Sequence, residues 1–131
     1  MSGHMQKKIW CSSMKKDDTV YLHHILAAID RIETYLKGVP FQKFLQELLL
    51  QDGVVRQLEI IGEASRNLSA DLCRSHPEVP WSEIIGLRNR IAHAYFDIDI
   101  GVVWEIVQED LPPLKEQVKH ILEDAKDRRS R

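Results

Sequence analysis

Apolar residues along this chain recur at steps of three and four. Ile25, Ile29, Ile32 and Leu36 share one face of a helix, which predicts a buried stripe. Asp17 or Asp18 can cap that helix at its start. The segment "KGVP" ends it, because Gly38 suits a helix C-terminus and Pro40 opposes continuation. A second helical stretch runs from about Phe41 to Leu68. Phe44, Leu45, Leu48, Leu49, Val55, Leu58, Ile61 and Leu68 supply its apolar face. Gly53 and Gly62 lie inside it. A mid-helix glycine costs roughly 1 kcal/mol against alanine, and it often marks the close approach of another backbone. Ser69 is placed to cap a short helix over 70–74, and "HPEVP" is a turn. Pro80 and Trp81 open a helix to about His93, and Asp97 or Asp99 caps another through Val107. At "EDLPPL" a kink is expected, since Pro112 and Pro113 cannot donate backbone hydrogen bonds. The last helix reaches about Asp127. Strand-like alternation of useful length, internal repeats and low-complexity blocks are all missing. The predicted fold is therefore all-α, an antiparallel bundle of four or five helices with short connections.

Composition narrows this picture. A chain of 131 residues makes one domain with one core. Its formal net charge of −2 excludes a surface that is basic throughout, so any nucleic-acid site has to be a local patch. Cys11 and Cys73 form no CxxC pair, which argues against a disulfide scaffold or a structural zinc site. A reducing, cytoplasmic setting is the expectation. No apolar run approaches the ~18 residues needed to cross a bilayer, so no membrane partner is expected. The opening "MSGHM" reads as an expression scar, with a native start at Met5 or Met14. Residues 1–13 are accordingly expected to be a tag or a disordered N-terminus, 14–127 the helical domain and 128–131 a frayed tail.

The candidate chemistry gathers in "GLRNRIAHAYFD", which places Arg88, Asn89, Arg90, His93 and Tyr95 within eight positions. At roughly 100° per residue, Ile84, Leu87, Ile91 and Tyr95 fall on one side as a core stripe. Ser82, Gly86, Asn89 and His93 fall on the other, a small and polar face that a second chain could approach closely. Arg88 lies well round from His93. It joins His93 only by reaching around, through a distorted helix end, or by meeting the other subunit's copy. Such residues on a helix are commonly just a solvated face. The combination is what stands out: arginine binds phosphate bidentately and keeps its charge, while histidine exchanges protons near neutral pH. Together they suit phosphodiester chemistry with no cofactor.

The spacing Arg-x4-His-x-Tyr in "RNRIAHAYF" resembles the signature of HEPN domains, and specifically of HepT-like toxins of HEPN/MNT toxin–antitoxin pairs. "QLEIIGEASRNLS", "HPEVPWSEIIGLRNRIAHAYFDID" and "VWEIVQEDLPPLKEQV" resemble the same family in its order, over roughly residues 17 to 120. A more usual family sequence has glycine where Ala94 stands. The resemblance implies a homodimeric helical bundle and a metal-independent endoribonuclease. It implies that Arg88 and His93 are the catalytic pair, in a cleft at the dimer axis where Asn89 and Arg90 face RNA. It implies 2′-hydroxyl attack that leaves a 2′,3′-cyclic phosphate. It also implies a minimal nucleotidyltransferase antitoxin as partner, and Tyr95 as the residue such a partner would adenylylate. A different class of function stays open: a non-catalytic HEPN adaptor that binds a nucleotidyltransferase and its substrate.

Other residues are weighed against simpler roles. Asp97-x-Asp99 resembles paired nucleotidyltransferase carboxylates, but helix capping is the better reading. His23 and His24 are adjacent, which is the wrong spacing for one metal on one helix face. Glu59, Glu63 and Arg66 form either an exposed ion-pair face or a cleft wall opposite Arg88. Trp81 and Trp104 are expected to be core or dimer anchors, and Cys73 is expected to be inert.

Overall fold

A computed structural model describes the backbone of residues 3–92 and 97–130, and the side chains of 18–92 and 97–127. The fold is all-α. Three long helices form its frame: α1 (Gly3–Leu36), α3 (Leu48–Arg66) and α8 (Leu111–Ser130). Five short ones fill in between: α2 (Phe41–Gln46), α4 (Ala70–Ser75), α5 (Trp81–Ile85), α6 (Leu87–Ile91) and α7 (Ile100–Glu105). A π turn, Ile106–Asp110, joins α7 to α8. Among the described residues no helix is long and apolar enough to cross a membrane.

The long helices are antiparallel. Asp18, midway along α1, meets Ser69 just beyond the end of α3, while Tyr35 near the end of α1 lies against Gly53 near the start of α3. Lys115, early in α8, bonds Glu33 late in α1 at 2.8 Å and lies 3.7 Å from Asp30. The expected stripes meet in the middle: Ile25, Ile29, Ile32, Leu58 and Ile61 are fully buried, as are Val103, Ile106 and Val118 from the C-terminal half. Trp104 packs on Phe41 and Phe44 with ring centroids 5.4 and 5.3 Å away. Trp81 is buried, its indole N–H donating to the His76 carbonyl at 3.1 Å.

Four expectations are corrected. First, α1 is helical from Gly3, so Asp17 and Asp18, expected to cap its start, lie inside it. Asp18 caps nothing in its own helix. Its buried carboxylate accepts the Ser69 N–H at 2.8 Å and the Ser69 hydroxyl at 2.7 Å. Ser69 in turn caps α4, as expected, by accepting the Leu72 N–H at 3.1 Å.

Second, the stretch expected to be one helix from Phe41 to Leu68 is broken at Glu47, which is extended. The side-chain amide of Gln51 makes the break tolerable by donating to the carbonyls of Phe44 at 2.9 Å and Leu45 at 3.1 Å. The Phe44 carbonyl also accepts the Glu47 N–H at 3.4 Å, so Gln51 adds to what the helix end itself supplies. The change of direction removes Leu45, Leu48 and Leu49 from the expected apolar face, and Leu48 and Leu49 are 72% and 87% exposed.

Third, the helix expected to run through Val107 continues as a π turn directly into α8, with Pro112 and Pro113 inside it. The two prolines lie in the first turn of α8. A proline ring clashes with the carbonyl four residues back and offers it no N–H. Widening to i→i+5 spacing moves those carbonyls aside and lets the chain stay helical.

Fourth, the helix expected from Trp81 to His93 is split at Gly86 and ends at Ile91. Gly62 governs where this region sits. A Cβ at Gly62 would lie 3.2 Å from the Ile84 carbonyl oxygen, and one at Gly53 would lie 3.3 Å from the Tyr35 ring. Both glycines therefore mark close approaches, and at Gly62 the approach is backbone to backbone.

Two substitutions test this frame. Asp18→Ala leaves the Ser69 N–H and hydroxyl buried without their acceptor, and should lower unfolding free energy by about 1–3 kcal/mol. Gly62→Val should cost roughly 1–3 kcal/mol by pushing α5 off α3. Urea midpoints compared with the parent protein measure both. An unchanged midpoint in either would contradict the corresponding contact.

Candidate active site

The site begins with how α6 is held. Leu87 and Ile91, four residues apart, are both buried, as is Ile84 before them. These are three of the four residues expected in the core stripe. Arg88, Asn89 and Arg90 lie between them and are exposed. After Ile91 the backbone turns extended at Ala92, which forms an antiparallel bridge with Ile98. The Asp99 N–H donates to the Ile91 carbonyl at 2.8 Å. Asp99 also caps α7, its carboxylate accepting the Val102 N–H at 3.1 Å, which decides between it and the exposed Asp97. Main-chain bonds thus clamp the two ends of the segment 93–97.

His93 and Tyr95 lie outside the described residues, as do Ala94 and Phe96. The helical face expected through Ser82, Gly86, Asn89 and His93 is corrected by its own backbone. Gly86 is a junction between two short helices, and Ala92 has already left the helix. The closest atom to a Cβ on Gly86 would be the Ser82 carbonyl of its own turn, at 3.3 Å. A distorted helix end just before His93 is one of the arrangements under which Arg88 could join it.

The two arginines differ. The Arg90 Nη1 donates to the Asp110 Oδ2 at 2.6 Å, tying α6 to the π turn. Arg88 is exposed and has no hydrogen-bond or ion-pair partner among the described residues. Half-exposed pairs such as Arg90–Asp110 typically add about 0–1 kcal/mol to stability, so its interest is geometric. Sequence reasoning placed Arg90 in the cleft and missed Asp110. The partner stands twenty residues on, and only the fold brings it back.

Glu59 is half-buried, while Glu63 and Arg66 are exposed on α3 beside Gly62, the glycine that contacts α5. His23 and His24 are exposed, and His24 makes an edge contact with Tyr21. Burial, aided by the negative charge of Asp18, raises the Cys73 thiol above its ordinary pKa, so the protonated form dominates at neutral pH.

The family model described as "Ribonuclease HepT-like" matches residues 25–121. This chain belongs to the HepT-like ribonuclease family. It is 45% identical over 102 residues to "Probable ribonuclease HepT" of Thermococcus cleftensis, covering 78% of this chain and 93% of that one. A protein of Caldanaerobacter subterraneus named "putative RNase" is 40% identical over 106 residues, covering 81% of this chain and 95% of its own. A Methanocaldococcus jannaschii protein named as a gamma-glutamylcyclotransferase and "putative RNase" is 40% identical over 111 residues, covering 85% of this chain. The chain spans half the length of that last relative. No solved structure matches this chain.

The raised thiol yields a prediction. Cys73 should react with iodoacetamide at pH 7 well below the rate of glutathione, and accelerate only as pH rises past the ordinary thiol range. Mass spectrometry of the Cys73 peptide reads this. Labelling as fast as glutathione at pH 7 would contradict a partly buried, protonated thiol.

Proposed function

We propose that this chain is an endoribonuclease that works without a metal and serves as the toxin of a HEPN/MNT pair. The observation that carries the reading is Arg88. It is an exposed arginine free of described partners, on a helix that ends two residues before His93. A structural arginine normally pairs with a carboxylate, as Arg90 does here. One without a described partner, close in sequence to a titratable imidazole, is available to a phosphate. Membership of the HepT-like family and the RNase names of its relatives support RNA as the substrate.

The reaction follows from these groups. His93 takes the proton of an RNA 2′-hydroxyl, and the oxygen attacks the adjacent phosphorus. The O2′–P bond forms as the P–O5′ bond breaks, leaving a 2′,3′-cyclic phosphate. The departing 5′-oxygen receives a proton, which His93 of a second copy could supply. Arg88 stabilises the extra negative charge on the pentacoordinate phosphorus. Asn89, exposed on the same short helix, offers an amide to the RNA backbone. In this reading two copies pair so that their motifs share one cleft. A minimal nucleotidyltransferase restrains the toxin by adding AMP to Tyr95, whose bulk and negative charge would repel RNA.

Purified protein should cleave RNA in the presence of EDTA and leave ends that mass spectrometry identifies as cyclic phosphates. Arg88→Ala and His93→Ala should each lose about 10²–10⁴ in rate with unchanged circular dichroism. Full activity in the His93→Ala protein would overturn the mechanism.

A further inference from the structure

A groove of about 150 Å³ runs between α5–α6 on one side and the π turn with α8 on the other. Ile84, Leu87, Ile106, Leu111 and Leu114 form its apolar floor. Along this flank, then, α6 is not packed solidly against its neighbour. The Arg90–Asp110 bond reaches across the groove and sets the separation that packing leaves loose.

The geometry of α6 makes that bond matter for Arg88. Leu87 and Ile91 point inward, one turn apart. At roughly 100° per residue, Arg88 projects from one flank of that buried stripe and Arg90 from the other. Leu87 and Ile91 anchor the inner face of this five-residue helix, and on the groove flank the Arg90–Asp110 bond adds a further restraint on rotation about its axis. Tethering Arg90 fixes that rotation, and so fixes where Arg88 reaches. A rotation of about 10° at a radius of roughly 5–6 Å carries a side-chain end about 1 Å. Misplacement on that scale can cost on the order of 10²-fold in rate.

The placement of Asp110 follows from the sequence around it. Asp110 is the last residue of the π turn, immediately before Leu111 and the two prolines. A π turn adds a residue to the helical circuit and shifts the side-chain register by roughly 100°. In an unbroken α-helix, Asp110 would point elsewhere relative to α7.

We propose that Asp110 is a positioning residue for the reaction. It holds Arg90 across the groove, sets the rotation of α6 and thereby aims Arg88 at the scissile phosphate. The proposal rests on the reading of Arg88 given under Proposed function. It also gives Arg90 a different task from direct RNA contact.

The test is a double-mutant cycle of Asp110→Asn and Arg90→Gln, with kcat and KM measured on a short RNA. Each single change should lower kcat about tenfold or more with KM within about twofold, and the pair should be no worse than either alone. Asp110→Glu, which keeps the carboxylate, should recover most of the rate. Amide hydrogen exchange at Leu87–Ile91 should quicken in Asp110→Asn while Tm holds. Wild-type kcat in Asp110→Asn, or losses that simply add, would overturn the proposal. A rise in KM alone in Arg90→Gln would also overturn it, by placing Arg90 on the RNA. If the wild-type protein cleaves no RNA, the ribonuclease reading itself fails. The exchange rates then still decide whether Asp110 fixes α6, since unchanged rates refute it.

Discussion

At Gly62 two lengths of main chain touch. The α3 backbone lies so near the end of α5 that a single added carbon would sit 3.2 Å from the Ile84 carbonyl. The position of α5 follows from this contact, and the position of α6 follows from α5 through the Gly86 junction. Arg88 and Asn89 stand on α6, so the chain of contacts that places the candidate chemistry begins where two backbones meet. Ile84 and Leu87, buried beside it, turn the approach into a packed surface.

Hydrophobic spacing disclosed the all-helical class and most of the core. Ile25, Ile29 and Ile32 are buried as their spacing requires, as are Leu58, Ile61, Ile84 and Leu87 on later helices. The capping serines and aspartates were equally legible where the bond is local, as at Ser69 and Asp99. Long-range bonds were not. Nothing in the sequence near Glu47 breaks a helix. The break is sustained by Gln51, whose amide turns back to carbonyls six and seven residues earlier. Asp18 looked like a local cap, yet its partner is fifty-one residues away. The site divides along the same line. The burial of Leu87 and Ile91 and the exposure of Arg88 follow from the helical wheel. The pairing of Arg90 with Asp110 needs the fold to return the chain.

Polar groups in this molecule do two kinds of work. Asp18, Ser69 and Gln51 are buried and satisfied; Ser69 caps α4, Asp18 holds Ser69, and Gln51 bonds the end of α2. Such bonds cost heavily when one partner is lost, because the other remains dry and unpaired. The charges on α6 and the π turn are instead half or fully exposed, where pairing adds little to stability. A folded protein can therefore alter its surface charges near α6 at small thermodynamic cost. That freedom suits a region whose task is to meet another molecule.

The clamp around the segment 93–97 has an evolutionary consequence. Its bonds, Ala92 with Ile98 and Asp99 with Ile91, run through peptide groups and so are indifferent to which side chains the enclosed segment carries. Closing a slightly longer or shorter loop between fixed ends changes the entropy only slowly with length. These flanking bonds therefore hold whatever side chains a lineage places between them. A lineage could retune, silence or repurpose this stretch without having to rebuild the helices that present it.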